Sequence, residues 1–221
     1  MSAPDRHALE FRQCSRRDRI GLKGPRAAEW LASRGVAVPA APNQWARWAA
    51  AGPAAAPGAA TSGATANAEG RSGAIRREEA DAATMEMAAG EDGLVARLGT
   101  FEFFLEDGAG GGTVRGLEAA LETPLPGVYP VLREDAAFSL SGPGSYEVLA
   151  QVCNVNFADL ELASRPVIMT LMIGVAVLVA PQRVGERPRF RIWCDPTFGA
   201  YLEESLGPVV TESGGNHRRQ T

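Results

Sequence analysis

The chain has 221 residues, 45% of them hydrophobic, and a formal charge of −4. That allows one large domain or two small ones and offers no basic field to nucleic acid. Its two histidines, His7 and His217, stand near the ends, and its three cysteines, Cys14, Cys153 and Cys194, are scattered. This argues against a histidine metal site, a Ser-His-Asp triad, a Cys-His pair or a disulfide framework and fits a reducing cytoplasm.

Residues 1–18 are polar, without the apolar core of a signal peptide. Arg12, Arg16, Arg17 and Arg19 cluster here, interrupted by Glu10 and Asp18, and the stretch reads as an irregular basic arm. A first α+β unit is expected over 19–48 and 94–125. It opens with a strand closed by Leu22, a Gly24-Pro25 corner, and a helix placing Ala27, Trp30, Leu31 and Arg34 on one face. Pro25 is expected at the first helical position. A Pro-punctuated extended stretch then ends at Trp45 and Trp48.

Between Trp48 and Phe101 there is no aromatic residue. The Ala/Gly/Pro-rich segment 49–93 cannot bury enough apolar surface to offset its ordering entropy. It is expected to be a disordered insertion, with a helical piece at 76–89. Residues 94–107 read as a hairpin turning at Gly99-Thr100. The glycine-rich run 108–112 lacks the Lys-Ser/Thr of a P-loop and the GxGxxG spacing, so it reads as a flexible loop before a short helix at 114–121.

A second unit is expected over 126–210. Arg133-Glu134-Asp135 reads as a salt link, because neighbouring residues on a strand face opposite ways. The Gly142-Pro143 corner leads into a helix over 143–152, with Ser145, Val148, Leu149 and Val152 on one face. Strands follow at 167–173, 175–180 and 189–194. The apolar run 167–180 is split by Gly174 and is shorter than the roughly 20 residues of a bilayer span. The last helix should be capped by Asp195, opened by Pro196 and stopped by Gly207-Pro208, with Phe198, Tyr201, Leu202 and Leu206 on its apolar face. A disordered tail is expected at 211–221.

The segment 20–32 recurs at 138–150, with Leu, Gly, Pro, Glu, Leu and Ala matching 118 positions apart. Each copy reads as strand, Gly-Pro corner and helix, and the order strand–helix–strand–strand–strand–helix follows both. The fold class is therefore expected to be α+β: two duplicated units packed as two antiparallel sheets with helices. On 189–195, Phe190, Ile192 and Cys194 share one face and Arg191, Trp193 and Asp195 the other. The second face could bind an anion, stack a flat ring or form a protein interface. The plainer alternative is a solvated Arg191, a Trp193 packed on a loop and a capping Asp195. Cys153 and Cys194 read as core residues.

Three further stretches carry a resemblance: Leu98-Gly99-Thr100-Phe101-Glu102-Phe103, Leu140-Ser141-Gly142-Pro143, and Val148-Leu149-Ala150-Gln151-Val152-Cys153. Together with the hairpin at Gly174 and Phe190-Arg191-Ile192, they resemble the gamma subunit of heterotetrameric sarcosine oxidase and related N-methyl amino acid oxidases. The resemblance covers about 94–207. It implies the fold of the folate-binding part of aminomethyltransferases. It also implies an accessory subunit that holds no catalytic residue, cofactor or metal of its own. FAD, FMN, NAD and tetrahydrofolate would sit on larger flavoprotein partners of the alpha, beta and delta type. On that reading Trp45, Trp48, Arg191 and Trp193 are the expected subunit contacts, with the tryptophans exposed. Gly24, Pro25, Gly142, Pro143, Asp195 and Pro196 are structural corners. The competing readings are a freestanding folate-binding one-carbon protein and an α+β interaction module. A full aminomethyltransferase carries a further barrel domain, for which a chain ending at Thr221 leaves no room. The Lys-Gly-Cys-Tyr-x-Gly-Gln-Glu signature of the iron–sulfur-maturation branch is missing.

Overall fold

The computed structural model describes residues 9–14, 16–48, 92–108 and 110–218. The insertion expected at 49–93 lies outside them except for its last two residues, and the helical piece at 76–89 lies wholly outside.

Two sheets carry the fold. The first contains β2 (Arg19–Lys23), β3 (Gln44–Trp48), β4 (Gly93–Gly99), β5 (Glu102–Glu106) and β6 (Tyr129–Leu132), in the order β3-β4-β5-β2-β6 and antiparallel throughout. The second contains β1 (Glu10–Gln13), β7 (Ala136–Ser141), β8 (Ile168–Met172), β9 (Val175–Val184), β10 (Arg187–Cys194) and β11 (Asn216–Arg218). Its order is β11-β1-β7-β10-β9-β8, with β1 and β11 the parallel pair. Helices α1 (Ala27–Ser33) and α2 (Thr113–Ala120) pack on the outer face of the first sheet. Helices α3 (Ser145–Val152) and α4 (Gly199–Glu212) pack on the outer face of the second.

Strand alternation builds the layers. On β5, Phe103 and Leu105 join the helix-side core, and Phe104 points inward to the second sheet. On β10, Phe190, Ile192 and Cys194 face α3 and α4, while Trp193 points inward. The sheets thus pack face to face through Trp45, Leu94, Ala96, Phe104, Ala137, Val167, Leu178, Ala180 and Trp193, with a helical layer on each outside.

The duplication is structural. β2-α1-β3-β4-β5-α2-β6 and β7-α3-β8-β9-β10-α4-β11 share one order. Gly24 and Gly142 have φ of 121° and 111°, a region open chiefly to glycine. Ala27 N–H bonds Gly24 O at 3.1 Å, and Ser145 N–H bonds Gly142 O at the same length. Pro25 and Pro143 each stand two residues before the first helical residue rather than on it, because each corner makes a full turn after its glycine. In α1 the buried residues are Ala27, Trp30 and Leu31, as the periodicity predicts; in α3 they are Ser145, Val148 and Leu149.

Several boundaries move. The expected irregular arm contains β1, which pairs with both β7 and β11, so Phe11 is fully buried. The expected disordered tail contains the end of α4 and β11. β6 falls inside the unit expected to start at 126 but pairs with β2 of the first sheet. Pro208 does not stop α4. It lies on the exposed side of the helix, where the carbonyl it leaves unbonded is open to water, while Leu202, Leu206 and Val210 continue one buried face past it. Asp195 caps a short 3-10 turn, Pro196–Phe198, that leads into α4.

Candidate functional site

The residues expected at subunit contacts lie inside the chain. Trp45, Trp48 and Trp193 are 4%, 5% and 1% exposed, and Arg191 is 5% exposed; none of the four offers a docking surface. Trp45 and Trp48 sit three positions apart on β3, so they enter different layers. Trp45 faces the second sheet, where its indole N–H donates to Pro181 O at 3.1 Å. Trp48 faces the α1–α2 core, so close to Gly93 that a Cβ there would meet its ring at 2.3 Å. Trp193 meets Phe104 edge-on, with centroids 5.1 Å apart. The solvated Arg191 of the plainer reading is equally set aside.

Beside this apolar seam the inter-sheet space is polar, with Glu106 at its centre. Arg19 Nε and Trp193 Nε1 both donate to Glu106 Oε2 at 2.6 Å, and Arg191 Nη2 pairs with Oε1. Arg19 is the register partner of Glu106 on β2, whereas Arg191 and Trp193 arrive from β10 of the other sheet. Arg19 also donates to Asp135 O at 3.1 Å and Cys14 O at 3.0 Å. Burial pushes the guanidinium pKa of Arg19 below its ordinary value; burial and repulsion by Arg17 do the same to Arg191. The charge of Asp135 opposes the shift of Arg19 by favouring its charged form. Nearby, Arg133 and Asp135 form the expected salt link at 3.1 Å.

The polar seam opens into a cleft of about 560 Å³. One wall comes from the second sheet: Arg12, Gln13 and Cys14 on and after β1, and Arg218 on β11. The other comes from Asp107, Gly108, Gly110, Gly111 and Arg115. Asp107 caps α2, accepting from Val114 N–H at 3.1 and 3.3 Å. Burial raises the Asp107 pKa above the usual carboxylate range, despite these backbone donors. Across the seam, burial and repulsion by Arg12 lower Arg189 to about 10.

A second cleft of about 560 Å³ lies beyond the other end of the seam, lined by Trp45, Arg47, Tyr146, Arg165 and Gln182 among others. Large exposed apolar side chains lie elsewhere, in three places: Met169 and Leu171 project from one face of β8, Phe198 and Tyr201 stand at the start of α4, and Phe101, Tyr129 and Leu132 stand at the β4–β5 turn and on β6, each half or more exposed. Tyr201 Oη donates to Ile173 O at 3.5 Å, which sets that helix start against the β8–β9 turn. Burial raises Cys194 to about 11, as suits a core thiol. Among the described residues no three His, Cys, Asp or Glu side chains come together as metal ligands, and no helix is long and apolar enough to cross a membrane.

Sequence reasoning missed Glu106 and the roles of Arg19 and Arg12. The available signal was a glutamate continuing the inward face of Phe104 on a strand buried on both sides.

No protein-family model and no curated protein matches the sequence. Solved structures do match the fold. A chain of heterotetrameric sarcosine oxidase from Corynebacterium sp. U-96, in complex with pyrrole 2-carboxylate, has a TM-score of 0.59 and 20% identity, over 96% of this chain and 88% of that one. The glycine cleavage system aminomethyltransferase T from Bartonella henselae has a TM-score of 0.59 and 15% identity, again over 96% of this chain. The match spans about half of that aminomethyltransferase, 48%. The fold is therefore of the aminomethyltransferase-like type, as the resemblance implies.

Proposed function

We propose that the chain is the small, non-catalytic subunit of a sarcosine-oxidase-like flavoenzyme that oxidatively demethylates a secondary amine, with the one-carbon unit passed to tetrahydrofolate on a partner subunit. The observation that supports this reading is the fold shared with a chain of a heterotetrameric sarcosine oxidase, at a TM-score of 0.59 over 96% of this chain and 88% of that one. The packed seam agrees with it, because Trp45, Phe104 and Trp193 occupy the space between the sheets. On this reading the flavins, NAD and folate belong to the partners, and the complex is cytoplasmic.

The likeness to aminomethyltransferase T favours, second, a freestanding folate-binding protein. Turnover separates the two. The chain purified with its partners should oxidise sarcosine or another N-methyl amine, with tetrahydrofolate converted to its methylene form. Tight folate binding by the chain alone, with no amine turnover in its company, would support the second reading instead.

A further inference from the structure

The arginine-lined cleft has a construction that the subunit reading does not use. Its lining holds five arginines, Arg12, Arg16, Arg17, Arg115 and Arg218, against two aspartates, Asp18 and Asp107. Neither acid is turned wholly to the cleft. Asp107 is committed to the first turn of α2, and Asp18 pairs with Arg115 at 2.9 Å. On the facing wall Arg12 and Arg218 are direct register partners of the parallel β1–β11 pair, so their backbones run about 4.8 Å apart. Both side chains leave the sheet on one face. Arg218 pairs with Glu10 at 3.4 Å, and Arg12 stands in the same row as Ser139 and Arg191. Arg17, from the turn before β2, donates to Asp107 O at 3.5 Å, tying that turn to the end of β5.

Like charges placed side by side repel. A fold gains nothing in stability from concentrating arginines at one mouth of its central seam, whereas a bound anion converts that repulsion into attraction. Guanidinium forks match the oxygens of phosphate and carboxylate groups two at a time, and the volume suits a small molecule. We propose that this cleft binds a small polyanion, a ligand carrying phosphate or carboxylate groups with at least two negative charges, held between the Arg12–Arg218 row and Arg115.

The test uses the full chain alone, so it does not depend on the subunit reading. Inorganic pyrophosphate and citrate are titrated calorimetrically at constant ionic strength. One of them should saturate a single site; tighter pyrophosphate binding identifies a phosphate-bearing ligand and tighter citrate binding a carboxylate one. Arg115→Gln, whose side chain is 73% exposed, and Arg12→Gln should each weaken binding about tenfold, in keeping with loss of one charge-assisted pair. Arg183→Gln, in the opposite cleft, should leave it unchanged. Should Arg12→Gln unfold, Arg115→Gln decides alone. The proposal is overturned if neither probe binds, or if the cleft variants bind like the wild type.

Discussion

Glu106 accepts from side chains on two sheets, and its removal would leave Arg19 and Arg191 facing one another in a buried site. Breaking a buried pair by deleting one partner costs about 3–5 kcal/mol, so Glu106→Ala should lower unfolding stability by that amount in urea titration. Trp193→Ala should cost a similar ~3–5 kcal/mol through cavity formation; it weakens the chain itself, because Trp193 is buried and not at a subunit contact. Either variant within about 1 kcal/mol of wild type would contradict the central role given to this cluster. Asp107 gives a pH test. Its folded-state pKa is raised, so the folded form binds the proton more readily than the unfolded one. Its contribution is present below the unfolded value of about 4 and is lost as pH rises through the higher folded value. The stability of the wild type relative to Asp107→Asn should therefore fall as pH is raised from the unfolded value through the higher folded one. A constant difference would show that Asp107 does not titrate there.

At the scale of elements, Gly24 shows how closely the corners are built. Its φ is 121°, and a Cβ there would stand 2.4 Å from Gly127 O. Gly24→Ala should cost about 1–3 kcal/mol from backbone strain, with more from the steric contact, read as a lowered urea midpoint; an unchanged midpoint would contradict the corner geometry. These corners, the β4–β5 hairpin and the alternation on β10 were legible in the sequence, because each is written locally as a glycine, a period or a turn. β1 and β11 were not. They are four and three residues long, too short for a period to appear, and their partners lie more than a hundred positions away. β6 was expected in the wrong unit for the same reason: a strand's sequence says which side chains share a face, not which strand lies beside it. The tryptophans went astray in the same way. Alternation put Trp193 opposite Phe190, but nothing local to it could say that Phe104 and Glu106 would cover it.

At the scale of the molecule, two sheets meet through a filled seam, and exposed apolar side chains stand on the β8–β9 hairpin, at the start of α4 and along β6 rather than at the tryptophans. Met169 and Leu171, each 59% exposed, are the side chains through which the proposed assembly is expected to form. Met169→Glu with Leu171→Glu should leave the chain folded, as judged by its urea midpoint, while reducing the yield of complex at least tenfold, the effect of losing about 1.4 kcal/mol or more of binding energy. Unchanged assembly would move the interface elsewhere. The central claim, that the chain works as a subunit, is tested most directly by native mass spectrometry of the chain purified with its natural companions. The account predicts a yellow hetero-oligomer in which this 23.3 kDa chain sits in fixed ratio with larger flavin-bearing subunits. A colourless monomer would contradict it.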